Sequence, residues 1–118
     1  MIAIVDDDEY VRQATGGLLR SLGYRIATFA TAEKFLNSGQ LQEISCLITD
    51  VQMPGMSGLE LQARLKAEAH RIPVIVMTAF PDDSVCDRAT QQGASCFLTK
   101  PFSQETLTAC LDRALKAA

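Results

Sequence analysis

The sequence predicts an α/β domain, a doubly wound parallel sheet of five strands with helices on both faces. Two observations lead there. Apolar runs of strand length recur at Ile2–Val5, Tyr24–Thr28, Cys46–Thr49, Val74–Thr78 and Cys96–Leu98, each suited to a strand buried on both faces. Longer segments with helical spacing separate them, and strand-helix alternation with connections of that length crosses over right-handedly and covers both faces of a parallel sheet.

Each element has its own signals. The first strand runs into Asp6-Asp7-Asp8 and then a helix whose apolar face is Val11, Ala14, Leu18 and Leu22, ending near Gly23. Gly16-Gly17 inside that helix is a blemish, since each glycine costs about 1 kcal/mol relative to alanine; close packing against the sheet would explain it. Thr31 is the expected N-cap of the second helix and Gly39 its stop. The third strand leads to Asp50 and the turn Met53-Pro54-Gly55, after which Ser57-Gly58-Leu59-Glu60 fits a capping box. The fourth strand ends at Thr78, and its helix is expected to stop at Gly93. The fifth strand leads to Lys100. Ser103 then caps a last helix carrying Leu107, Cys110, Leu111, Ala114 and Leu115 on one face.

Composition bounds the rest. With 118 residues and 47% of them apolar, one domain spanning residues 1–118 is expected. Eleven basic and 14 acidic side chains give a net charge of −3, too little positive charge for direct nucleic-acid binding by this segment. No apolar run approaches the roughly 18 residues of a membrane span, and no basic n-region precedes Met1–Val5, so a cytoplasmic protein is expected. Cys46, Cys86, Cys96 and Cys110 are widely scattered without a C-x-x-C pair. They are expected to be reduced core residues, neither zinc ligands nor a disulfide framework.

In such folds chemistry gathers beyond the carboxyl ends of the strands. Those ends carry Asp6-Asp7-Asp8, Asp50, Thr78 and Lys100. Taken singly, each has a duller explanation: an N-cap, a turn aspartate, a buried threonine bonded to backbone, a solvated lysine. Jointly they are hard to dismiss. Carboxylates from two strands on one rim raise one another's pKa unless a cation sits among them, and an oxygen-only cluster suits Mg²⁺. A carboxylate beside Mg²⁺, with an ammonium and a hydroxyl in reach, is equipped to attack a phosphoryl group and become an acyl phosphate.

The residues Ile4-Val5-Asp6-Asp7, Leu47 through Gly58, Val74-Ile75-Val76-Met77-Thr78-Ala79, and Gly93-Ala94 through Lys100-Pro101-Phe102 make the chain resemble the receiver domain of bacterial two-component response regulators. The wording looks most like receivers joined to LuxR-type helix-turn-helix output domains. The resemblance implies a flavodoxin-like fold of strand order 2-1-3-4-5, with Asp50 as phosphoacceptor. It implies Mg²⁺ ligation by Asp7, Asp50 and the backbone carbonyl of Gln52, with Asp6 acting through a water. Lys100 would pair with phosphoryl oxygens, before a cis bond to Pro101. Thr78 would move onto the phosphoryl group and let Phe97 turn inward as the aromatic switch. The surface of the fourth helix, fifth strand and fifth helix would then change and control an output domain, transcriptional in role by the same resemblance. The donor would be a sensor histidine kinase, because the sole histidine, His70, reads as a solvated turn residue. Self-phosphorylation and self-dephosphorylation would be the only reactions, not turnover as an enzyme.

Asp8 reads as a helix cap. Gln52 and Phe80 occupy positions that in this family influence water access to the acyl phosphate, and Phe80 is expected to restrict it. A monomer is expected when unmodified, with homodimerisation through the fourth-helix face on activation. Two competing readings remain open. Asp6-Asp7-Asp8 supplies the D-x-D of haloacid-dehalogenase-like phosphatases, though that leaves Asp50 idle; alternatively, the domain is a receiver-shaped interaction module that no longer uses phosphate.

Overall fold

Strands without an exposed side chain require cover on both faces, and β1 (Ile2–Val5), β3 (Cys46–Asp50) and β4 (Val74–Thr78) are buried throughout. The computed structural model describes residues 1–117. Ala118, the last residue of the expected domain, lies outside the described residues. The three buried strands form the middle of a parallel five-stranded sheet, with β2 (Ile26–Phe29) and β5 (Cys96–Thr99) at its edges, in the order β2-β1-β3-β4-β5. This is the order that the resemblance implied.

Alternation along the strands sorts the core into two layers. Ala3, Val5, Leu47, Val74 and Val76 point to one face, where α2 (Ala32–Leu36), α3 (Gly58–Ala67) and α4 (Asp83–Gln91) cover them with Phe35, Leu61, Leu65 and Ala89. Ile2, Ile4, Cys46, Ile48, Ile75 and Met77 point the other way, onto Leu19 of α1 (Glu9–Ser21) and Leu107, Leu111 and Ala114 of α5 (Gln104–Ala117). A short 3-10 turn, Leu41–Glu43, leads into β3.

The caps follow the side-chain chemistry. The Asp8 carboxylate accepts from the backbone N–H groups of Tyr10 and Val11, Thr31 from Lys34, and Ser103 from Thr106. Ser57 and Glu60 form the reciprocal capping box. Asp82 caps α4 by accepting from Val85. Boundaries shift where turn geometry overrides hydropathy. The expected strand from Tyr24 begins only at Ile26, because Gly23 at φ 93° reverses the chain and the Tyr24 N–H bonds back to the Leu19 carbonyl. Gly39 does not stop α2, which ends at Leu36 with Asn37 as its C-cap. β3 and β5 each run one residue further than expected, to Asp50 and Thr99.

The cysteine reading needs correction. Cys96 and Cys110 are joined by a disulfide, with Cα atoms 5.7 Å apart and a sequence separation of 14. Scattered spacing concealed this. The crossover from β5 lays α5 back over the same strand, so the start of β5 meets the middle of α5. Cys46 and Cys86 are free, and burial pushes the Cys46 thiol up to about 12.

The two glycines of α1 separate cleanly. Gly16 is buried, and a Cβ there would come within 2.6 Å of the Ile26 Cδ1 atom, whereas Gly17 faces open space. Gly17→Ala is therefore expected to stabilise the fold by about 0.5–1 kcal/mol. Gly16→Ala should return less or none of that gain because Ile26 must yield. Denaturant midpoints of the two variants against the parent check both expectations.

Candidate functional site

The parallel register brings the carboxyl ends of β1, β3, β4 and β5 to one rim. β1 ends beside β3, so Asp6 and Asp7 follow the strand that pairs with the one ending in Asp50. Asp6 and Asp50 are buried and Asp7 is exposed. Carboxylate oxygens of these three residues lie within 4.8 Å of one another.

Lys100 crosses from β5 to meet them. Its Nζ donates to Asp6 Oδ2 at 2.8 Å and lies 3.2 Å from Asp50 Oδ1. The other Asp6 oxygen accepts from the Asp8 N–H at 2.9 Å, and Arg12 donates to the Asp6 backbone carbonyl. The peptide bond from Lys100 to Pro101 is cis. Three carboxylates against one ammonium leave two negative charges uncompensated. At an effective dielectric constant of about 20, two such charges roughly 5 Å apart repel by about 3 kcal/mol. Burial first, then the charge of Asp6, raises the Asp50 pKa although Lys100 opposes the shift. Burial pulls Lys100 down, but the hydrogen bond to Asp6 and the charges of Asp50 and Asp6 outweigh it and hold the ammonium above its ordinary value. An all-oxygen donor set with this deficit fits a hard divalent cation such as Mg²⁺.

Thr78 is buried at the end of β4, and its Oγ1 accepts from the Phe80 N–H at 3.1 Å. Register pairs Val76 with Phe97 and Thr78 with Thr99, so Thr78 and Phe97 stand on the same face of the sheet, one diagonal step apart. Phe97 is half-buried and packs against the layer that includes Val85 and Ala89 of α4. Gln52 is exposed in the loop after Asp50, and Phe80 is 69% exposed, so most of its ring stands in solvent. Asp8 is taken up by capping. His70 lies before the amino end of β4, opposite the rim, beside Glu68.

A family model described as the response regulator receiver domain matches residues 2–112. The chain belongs to the response regulator receiver domains. It is 44% identical to the response regulator protein TmoT of Ectopseudomonas mendocina, over all of this chain and 54% of that protein. It is 36% identical to the transcriptional regulatory protein FixJ of Bradyrhizobium diazoefficiens, over 99% of this chain and 57% of that protein. A solved structure of the response regulator StyR superposes with a TM-score of 0.91 at 40% identity, covering 98% of this chain and 59% of that one. The chain thus spans about half the length of the relatives that it matches. Receiver domains act in two-component signalling, and among the described residues no helix is long and apolar enough to cross a membrane.

The packing role of one residue that shapes this receiver's rim escaped the sequence reading. Gly58, the first residue of α3, donates its N–H to the Val51 carbonyl at 2.9 Å, and a Cβ there would fall 2.1 Å from the Asp50 carbonyl oxygen. The loop that leaves Asp50 is folded against a glycine backbone. In the sequence it is a glycine directly after the N-cap serine, which on its own reads as helix punctuation.

Two outcomes follow for receiver stability. Gly58→Ala must displace backbone, not a side-chain tip, and is expected to cost about 1–3 kcal/mol or more, read as a lowered denaturant midpoint. Asp50→Asn should act oppositely. Because the folded state raises the Asp50 pKa, it holds that proton more tightly than the unfolded chain does. Stability therefore falls as pH rises through the interval between the two pKa values. In EDTA at neutral pH, Asp50→Asn is expected to raise the thermal midpoint by a few degrees, with the gain shrinking as the pH is lowered below the unfolded carboxylate range; a midpoint that drops at neutral pH would contradict this.

Proposed function

We propose that this receiver domain, residues 1–118, accepts a phosphoryl group on Asp50 from the phosphohistidine of a sensor histidine kinase in the cytoplasm. The observation that carries the reading is the meeting of Asp6, Asp7 and Asp50 around the single ammonium of Lys100. Asp7, Asp50 and the Gln52 backbone carbonyl would hold Mg²⁺, with Asp6 acting through a water. When bound, the cation supplies charge neutralisation for the phosphoryl oxygens.

The chain's own groups do the remainder. A carboxylate oxygen of Asp50 forms the new O–P bond as the N–P bond of the donor imidazole breaks, and the imidazole leaves to take up a proton. Lys100, already hydrogen-bonded to the carboxylate cluster, is positioned to turn part of its charge onto the phosphoryl oxygens. Thr78 exchanges its bond with the Phe80 N–H for one to the phosphoryl group. Phe97, a diagonal neighbour on the same sheet face, then turns inward, and the surface formed by α4, β5 and α5 changes. A coupling of about 1–3 kcal/mol is enough for such a population shift.

The output is a separate or covalently linked domain, and transcriptional control is the role that the similarity to the transcriptional regulatory protein FixJ favours. With a net charge of −3, this segment itself is not the DNA-binding part. The unmodified domain is a monomer, and phosphorylation promotes pairing through the α4 face.

Incubation with a small phosphodonor and Mg²⁺ is expected to add one phosphoryl group to the intact mass. EDTA and Asp50→Asn should each abolish the gain. Labelling of Asp6 that survives Asp50→Asn would instead support a dehalogenase-like phosphatase, and no gain under any condition would support a phosphate-independent interaction module.

A further inference from the structure

The Cys96–Cys110 disulfide lies on a part of the molecule that the phosphoacceptor site does not use. It ties the start of edge strand β5 to the middle of α5. The covalent ring that it closes contains Phe97 and Lys100, so the bond encloses both the aromatic switch position and the cation of the rim. Cys96 is half-buried and Cys110 buried, and both border a surface cavity of about 350 Å³ that is also lined by Glu105, Thr106, Ala109 and Arg113. The cavity opens beside both cysteines and gives a small reagent an approach to the pair. Neither remaining cysteine shares these features. Cys46 is buried, with its thiol raised to about 12, and Cys86 has no cysteine partner.

We propose that Cys96 and Cys110 form a reversible thiol–disulfide modification site through which low-molecular-weight dithiols and hydroperoxides act on the β5–α5 face. In the reducing direction, a dithiol gives two electrons and two protons. The S–S bond breaks, two S–H bonds form, and the dithiol closes to its own disulfide. In the oxidising direction, one thiolate attacks a hydrogen peroxide oxygen to give a sulfenic acid; the second thiol displaces that oxygen as water, so two thiols and one peroxide yield one disulfide and two waters. Oxidation pins α5 to β5 around Phe97 and Lys100. Reduction frees the pair to shift, so the crosslink opposes the rearrangement that a phosphoryl group on Asp50 favours. This second consequence rests on the function proposed above; the existence of the thiol site does not.

The test uses the whole chain. Protein treated with a slight excess of hydrogen peroxide is unfolded and alkylated before or after reduction with dithiothreitol, then peptide-mapped. Cys46 and Cys86 should be labelled in both samples, and Cys96 and Cys110 only after reduction. Labelling of all four without reduction overturns the proposal. Calorimetric titration with Mg²⁺ and beryllofluoride, a phosphoryl mimic, then compares the two redox states. The reduced protein is expected to bind about fivefold more tightly or better, and a Cys96→Ser/Cys110→Ser variant should match it with or without dithiothreitol. Equal affinities in the two states overturn the coupling. If the alkylation pattern is as expected but neither state binds the mimic, the phosphoacceptor reading fails while the thiol site stands.

Discussion

Negative charge gathered at the carboxyl ends of β1 and β3 is the constraint on which the rest of this receiver depends. Buried Asp6 and Asp50, with Asp7 beside them, are held at mutual distances under 4.8 Å, and one lysine answers them. A fold that sought only stability would not keep such a group together. Its cost is visible in the raised pKa of Asp50, where burial and Asp6 outweigh Lys100. The same imbalance makes the pocket receptive to a dication and to the anionic group that follows it. The surrounding structure is therefore built to stop the carboxylates from moving apart.

Several independent devices provide that restraint. The central strands pair in continuous parallel register, so the positions of Asp6 and Asp50 are set by hydrogen bonds along β1 and β3. The Asp8 cap fixes the entry to α1, while its own N–H donates to Asp6 and orients that carboxylate. On the far side of Asp50, the Gly58 backbone closes against the Val51 carbonyl and the Ser57–Glu60 box anchors α3. These are local interactions of ordinary strength, about 1 kcal/mol each. Their shared effect is to make repulsion a property of the pocket and not a force that unfolds it.

How much of this was legible in the sequence depends on the range of the interaction. β1 and β4 were readable to the residue, because uninterrupted apolar runs between polar ends are a local pattern, and so were the caps at Thr31, Ser57 and Ser103. Charge-bearing residues at strand ends pointed to the rim once a parallel sheet was expected, since that topology leaves them nowhere else to go. The start of β2 was misread because Tyr24 looks like strand but its N–H bonds back to the Leu19 carbonyl in the turn that leaves α1. The disulfide and the role of Gly58 were not readable. Both depend on how closely two elements approach in space: α5 over β5 in one case, the amino end of α3 under the Asp50 backbone in the other.

The two faces of β5 also divide its labour. Phe97 points to the α4 layer and stands diagonal to Thr78, while the adjacent Cys96 points to α5. Strand geometry enforces the split, because successive side chains alternate. A displacement of β5 that draws Phe97 toward the sheet must also move Cys96 relative to α5. The strand is at the sheet edge, with β4 as its only strand neighbour, so it can shift while breaking fewer backbone contacts than an interior strand. Lys100 follows directly after this strand, with its N–H bonded to the Thr78 carbonyl. Charge at the rim, packing under α4 and attachment to α5 are thus joined through a few consecutive residues, and a change imposed at any one of them is transmitted to the other two by the backbone itself.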